Sequence, residues 1–313
     1  MIKTPLSTVI GGAFWTPGAT VINGAKLSFE IVMKKLFANS EQGFYQDPYD
    51  LGVMFQDAAG TTAVNATGQP LGLVLDKSRG LQKGLDVVLN GTFQDKSSWG
   101  ATPFGLDAFS VAAGIATVVA SSASGVTQNI PTEAGKWYVL SLSMKSGGSQ
   151  LSARAVNNAF NGTVLGETAA VSSTVDFVTA SVMFRATSTQ TAIYLRNASA
   201  GTGYYKDVSV REVLGNHAYQ ATSAARPILR DAPRRIDFDA VDDKLITNLP
   251  AQLTGCTVIR SVPNVGTQIL TGQTIPATYE DNKDHCGLIV INRALTPSET
   301  SAITAEFNKR AGV

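Results

Sequence analysis

Between residues 83 and 213 the chain is a succession of short apolar runs cut apart by glycine, serine and threonine clusters. The runs cover 109–112, 115–119, 126–130, 136–144, 151–156, 176–184, 191–196 and 205–211. Several alternate: Val139, Leu140 and Leu142 stand against Ser141 and Ser143, and Val182 and Phe184 against Ser181 and Met183. Successive side chains of a strand point to opposite faces, so this alternation marks strands that bury one face. Short strands at near-regular spacing argue for a β-sandwich rather than a parallel sheet, and no helical period of useful length interrupts them.

A chain of 313 residues has room for about two domains. Its 44% hydrophobic residues support a sizeable core, while 16% charged residues is low and suits β-rich modules packed into an assembly. The formal charge is +1 with scattered lysines and arginines, so neither nucleic acid nor an anionic membrane is an expected partner. Met1 to Pro5 lack the basic start of a signal peptide, and Gly11-Gly12, Pro17-Gly18 and Asn23-Gly24 interrupt the apolar residues that follow. No apolar run approaches the roughly 18 residues of a membrane span, so no membrane insertion is expected. Cys256 and Cys286 are compatible with a disulfide or with two buried thiols. His285 beside Cys286 is half of a zinc site without a second pair, and ordinary packing is expected there.

Four regions follow in order. Residues 1–35 combine apolar clusters (Val9-Ile10, Phe14-Trp15, Val21-Ile22) with turn dipeptides and read as an extended apolar attachment arm with short hairpins. At its end Leu27, Phe29, Ile31 and Met33 alternate with their neighbours, which predicts a strand ending at Lys34-Lys35. Residues 36–82 form a connector whose turns, at Asp47-Pro48 and 57–60, separate apolar groups that must bury elsewhere. Residues 83–213 are the sandwich. Residues 214–313 carry a smaller β unit: a strand, acidic turn and strand over 235–247, strands at 257–262 and 287–291, then a short helix. Thr296, Pro297 and Glu299 start that helix as N-cap, first-turn proline and capping-box partner; Ile303 and Phe307 share one face, and Gly312 closes it. The predicted class is mainly β: arm and connector, jelly-roll-like sandwich, smaller C-terminal β unit ending in a short α-helix.

The stretch from Leu36 to Ser78, with Gln42-Gly43, Asp47-Pro48, Phe55-Gln56-Asp57, Gly60-Thr61-Thr62, Gly68-Gln69-Pro70 and Leu75-Asp76-Lys77-Ser78, resembles a segment recurring in tailed-bacteriophage virion and fibre proteins. Residues 83–213 open with Leu89-Asn90-Gly91-Thr92-Phe93 and Trp99 and close with Tyr205-Lys206-Asp207-Val208-Ser209-Val210, and are similar to carbohydrate-binding jelly-roll modules. The last region looks like a laminin-G/concanavalin-like sandwich of phage fibres, through 217–222, Arg226-Pro227, 238–243 and 292–296. The interval from Ile246 to Leu288 is too short for a full sandwich of that type, so a reduced unit is expected.

These resemblances imply a structural component of a tailed-phage virion: a tail, collar or head fibre, or a decoration protein, assembled in the host cytoplasm. It would attach to other virion proteins through its N-terminal region, as a homo-oligomer, with a trimer the natural choice for a fibre. Phe14, Trp15, Phe44, Tyr45, Met54 and Phe55 are the expected assembly residues, buried between subunits or against the arm. The alternative is a lectin-like adhesin recognising host surface glycan. Carbohydrate-binding jelly rolls hold sugars on exposed aromatic rings, which directs attention to Trp99, Tyr204 and Tyr205, with Phe104 a further aromatic and Trp137 a core residue. Such modules often carry a structural calcium, for which Asn90 and Asp207 are the candidates; no other cofactor is expected. Asp239, Asp242 and Asp243 read as an acidic turn. No nucleophile elbow, zinc-protease motif, phosphate-binding loop or framed carboxylate pair is present, so the protein is not expected to be an enzyme.

Overall fold

The computed structural model describes residues 8–10, 13–15, 29–102 and 105–313, the segments before residue 16 by their backbone alone. The architecture is mainly β, as predicted. Thr8–Ile10 and Ala13–Trp15 pair as a hairpin, Val9 opposite Phe14; the side chains of Phe14 and Trp15, like Phe104, lie outside the described residues. Among the described residues no helix is long and apolar enough to cross a membrane.

The connector does not stand between two units. Its strands complete the C-terminal one. Gly43–Gln46 pairs antiparallel with Leu288–Ile291, which continues to Leu253–Val262 and Gly266–Ile275 in a four-stranded sheet. Met54–Phe55 pairs with Leu73–Val74, which pairs with Ala218–Tyr219, then Leu245–Asn248 and Thr278–Asp281, in a five-stranded sheet. Both sheets therefore draw strands from either side of residues 83–213. Gly43 is needed for this joint: its φ is +142°, and a Cβ would run into the Val290 carbonyl. The expected reduced unit is thus a base sandwich completed from the N-terminal side. The 235–247 segment also differs from a hairpin: Arg235–Asp237 pairs with Ile228–Arg230, and Leu245–Asn248 belongs to the five-stranded sheet.

Of the burial expected between subunits or against the arm, Tyr45 takes the second form, packing with Phe29 and Val32 of residues 1–35, its ring 6.1 Å from that of Phe29. Phe44 and Met54 are buried, and Phe55 half-buried, inside the chain's own base sandwich instead. The C-terminal strands offer apolar faces that these side chains cover, and that burial is the driving force for the long-range pairing.

Asp76 and His217 lock the joint. The Asp76 carboxylate accepts the backbone N–H groups of Tyr45, Ser78 and Asn216, each at 2.8 Å, and the Ser78 hydroxyl at 2.9 Å. The Asp76 N–H donates to His217 Nδ1 (2.9 Å), so Nε2 carries the proton and donates to the Val213 carbonyl (3.0 Å). Burial pushes the His217 pKa down to about 4, against the Val213 hydrogen bond. The unfolded chain then takes up a proton between pH 6.5 and about 4 that the native state refuses. Stability is full above pH 6.5 and falls by about 3 kcal/mol as the pH drops to about 4. Urea midpoints at pH 7 and pH 4 are expected to separate by that much more in the native chain than in a His217→Gln variant. Equal separations would sink the assignment.

Residues 29–36 are a helix, not the predicted strand end. α1 spans Phe29–Leu36 and α2 spans Pro297–Ala311. Over so few residues alternation and helical period are not distinguishable, and tertiary packing decides. Phe29, Val32 and Leu36 fall on one face and pack with Ile303 and Phe307 of α2 over the outer face of the four-stranded sheet. α2 has the predicted capping box at Thr296 and Glu299 and ends at Gly312, φ +84°. Arg310 of α2 reaches Asp47 (2.7 Å), which also holds Lys77 (2.9 Å).

Residues 83–213 form the predicted sandwich. One sheet runs Val164–Glu167, Leu151–Asn157, Gln190–Asn197, Ser124–Pro131, Gly100–Ala101. The other runs Val178–Arg185, Trp137–Gly147, Gly201–Val213, Ile115–Ala120, Leu106–Ala112, with Lys83–Asp86 also against Gly201–Val213. Its core, from Phe93 to Val210, is made wholly of its own residues. Entry and exit lie side by side, the Leu214 N–H donating to the Gln82 carbonyl (2.9 Å). Trp137 is buried as expected, though on the outer face of its sheet: it packs into the base core and donates to the Ala58 carbonyl (3.1 Å).

Candidate functional site

In the five-stranded sheet of the inserted sandwich, Ala153, Ala155, Ile193, Leu195 and Val126 face the core. Their neighbours in sequence therefore face outward. Strand register aligns four outward side chains in one row: Thr127 opposite Tyr194, Tyr194 opposite Arg154, Arg154 opposite Glu167. At strand spacing the row extends about 14 Å. Arg196 and Ser152 stand opposite one another beside it.

Each member is held. Tyr194 is 8% exposed. Its ring lies against Gly125, where a Cβ would meet the ring at 2.7 Å, and Phe160, from the loop after Leu151–Asn157, contacts it edge-on at 6.3 Å. Burial raises the Tyr194 phenol above its ordinary pKa, so it stays protonated as a donor. Arg154 Nε pairs with Glu167 Oε1 at 3.0 Å, and the Ser152 hydroxyl donates to the same oxygen at 2.7 Å. Burial pushes Glu167 up, but Arg154 and Ser152 outweigh it and hold the carboxyl below the ordinary glutamate value. The Thr127 hydroxyl is shielded from water with no hydrogen-bond partner among the described residues. A buried polar atom without a partner is uncommon. The row thus offers a phenol, a guanidinium, a carboxylate and a free hydroxyl on a rigid sheet, the donor and acceptor set that hydroxyl-rich ligands require.

The residues expected from the sequence are placed differently. Trp99 is buried, packed on Phe93 at 5.3 Å with its indole N–H donating to the Asn90 carbonyl (3.3 Å), so it is no sugar platform. The polar loop before it folds back and its ring fills the end of the core. Tyr205 is fully buried and donates to Asn197 Oδ1 (2.7 Å), so it too is corrected to a core residue. Adjacent residues of a strand cannot share a face, and only Tyr204 points outward, half-buried, with Lys145 Nζ 5.1 Å from its ring centre. Asn90 donates to the Asp95 and Ser97 carbonyls and accepts from the Gln94 N–H, so its amide closes its own loop. Asp207 is exposed, 3.8 Å from Lys206. Val208 N–H donates to the Gly91 carbonyl, which brings these two turns together (3.0 Å).

Asp239, Asp242 and Asp243 each place one oxygen within 4.8 Å of the others, but Asp239 Oδ1 already accepts the N–H groups of Val241, Asp242 and Asp243, as a turn does. Cys256 and Cys286 are buried free thiols. His285 faces Asp281 (3.3 Å), not a cysteine.

No protein-family model matches the sequence, and no curated protein matches it. Solved structures similar to the chain include a CBM4 protein (19% identity over 40% of this chain and 99% of that one, TM-score 0.34). The CBM22-1 xylan-binding domain of Paenibacillus barcinonensis Xyn10C is another (13% identity, 43% of this chain, 98% of that one, TM-score 0.35). The enzymatically active domain of tailspike protein 4 of bacteriophage CBA120 is a third (16% identity, 41% of this chain, 21% of that one, TM-score 0.32). Several similar structures are carbohydrate-binding modules, and the aligned share is about the size of the inserted sandwich. TM-scores this low carry no functional argument.

Proposed function

We propose that the protein is a structural component of a tailed-phage particle whose inserted sandwich binds a surface glycan. The observation that carries the sugar-binding part is the aligned row Thr127, Tyr194, Arg154, Glu167, with its unpartnered buried hydroxyl. A pyranose presents hydroxyls that a guanidinium and a carboxylate bind together, and apolar C–H groups that the Phe160 and Tyr194 rings cover. The particle part is supported by the phage-type motifs of residues 36–78 and by the apolar clusters of residues 1–28 that precede α1 in the sequence. The base would attach with other virion proteins, and the insert would project on its paired entry and exit strands. This reading assigns the chain no catalytic step.

On a glycan array the full chain is expected to bind a defined set of neutral or acidic glycans. Tyr194→Ala and Arg154→Ala are each expected to weaken binding by at least about tenfold, or about 1.4 kcal/mol. Tyr204→Ala, on the opposite sheet, is expected to leave it unchanged. Absence of binding, or binding indifferent to the first two substitutions, overturns the sugar reading. Deleting residues 1–28, which spares α1, is expected to leave a folded protein that no longer joins particles; normal incorporation overturns the attachment reading.

A further inference from the structure

Arg196 stands on the same outward face as the Tyr194 row, two residues along Gln190–Asn197 from Tyr194. Residues so spaced on a strand lie about 7 Å apart. Its cross-strand neighbours are Gly125, which has no side chain, and Ser152, whose hydroxyl is committed to Glu167 Oε1 (2.7 Å). Arg196 is half-buried, and among the described residues its guanidinium makes no ion pair, hydrogen bond or ring contact.

The shortage of negative charge extends over the whole sheet. Its five strands hold three charged residues, Arg154, Glu167 and Arg196. Arg154 takes Glu167 at 3.0 Å, so one cation is left over. Glu167 lies two strands away from Arg196 and is already neutralised. The turns at the Arg196 end, 102–105, 121–123, 148–150 and 198–200, are uncharged, and residues 1–28 contain no aspartate or glutamate. No segment before α1 can therefore supply the missing counter-ion. A charge held partly out of water costs free energy until it is paired. A guanidinium offers two parallel N–H donors that match the two oxygens of a carboxylate. The other group without a partner, the shielded Thr127 hydroxyl, is also an immediate neighbour of Tyr194, across the ladder rather than along the strand. Two unpartnered groups thus flank one aromatic side chain.

We propose that the glycan is acidic: a sugar carboxylate, as on a hexuronic or sialic acid residue, pairs with Arg196 while ring hydroxyls meet Thr127, Tyr194 and Arg154. This rests on the sugar-binding reading and adds the substrate class. A sulfate ester would also be drawn to a guanidinium, and the test separates the two.

The probes are oligogalacturonate, oligoguluronate and sialyllactose on an array, beside their methyl esters, neutral counterparts and sulfated oligosaccharides. The full chain is expected to bind at least one carboxylated sugar about tenfold or more tightly than its methyl ester. Added salt is expected to narrow that gap. Arg196→Gln is expected to weaken the acid to near the level of its ester, and Arg196→Lys, which keeps the charge without the fork, to fall between. With no partner in the chain to lose, Arg196→Gln is expected to leave the melting midpoint in place, which separates lost recognition from lost folding. Binding that depends on Tyr194 and Arg154 but not on the carboxylate or Arg196 overturns this inference and leaves the sugar reading standing, as does binding confined to sulfated sugars. Absence of all glycan binding overturns both.

Discussion

Residues 214–313 expressed alone are expected to remain unfolded, whereas residues 29–82 joined to 214–313 by a short linker in place of the insert fold cooperatively, at a stability lowered by the loss of Trp137 from the base core. The linker is short because the Gln82 carbonyl and Leu214 N–H already meet at 2.9 Å. Without residues 29–82 the C-terminal strands lose Phe44, Met54, Leu71, Leu73 and Val74, all fully buried. Each such side chain contributes about 1.5–3 kcal/mol on burial. Five of them come to about 7.5–15 kcal/mol, comparable to the roughly 5–15 kcal/mol net stability typical of a whole domain. Residues 83–213 alone are expected to fold, since their core borrows nothing from the base. Amide dispersion in NMR spectra of the three fragments distinguishes these outcomes. A folded 214–313 fragment would show that the connector is an accessory.

Arg260→Ala is expected to destabilise the base sandwich by about 3–5 kcal/mol, because it leaves Asp281 buried without its counter-ion. Arg260 and Asp281 are 7% and 2% exposed, with Nη2 to Oδ1 at 2.6 Å and Nη1 to the Lys283 carbonyl at 2.6 Å. A surface pair would be worth about 0–1 kcal/mol, so the magnitude itself tests the burial. Burial pushes the Asp281 carboxyl up, but His285 and Arg260 outweigh it and hold it below its ordinary value. Its contribution is therefore present above the unfolded carboxylate pKa and lost as the pH falls through the lower folded one. Replacing both residues with Met and Leu is expected to recover most of the loss in urea melts at pH 7. A loss under about 1 kcal/mol for Arg260→Ala would contradict the buried pair.

The candidate site was half legible. The alternation of Ala153, Ala155 with Arg154, and of Ile193, Leu195 with Tyr194, already marks the latter as outward positions on buried strands. That Tyr194 lies between Thr127 and Arg154 is invisible locally, since the partners come from strands far apart in the chain. Trp99 follows a polar loop in the sequence, but that loop folds back and buries it. Tyr204 and Tyr205 could have been separated by the period-two rule alone, which permits only one of them to face outward.

Local chemistry determined the strands of residues 83–213, the capped terminal helix and the mainly β class, because alternation and capping act between near neighbours. Tertiary structure alone decided that residues 29–36 are helical and that the connector belongs to the C-terminal sandwich. It also decided which outward side chains share a row. Period two specifies which face a side chain takes but not which strand lies beside it, and that choice is made by burial between segments far apart in the chain.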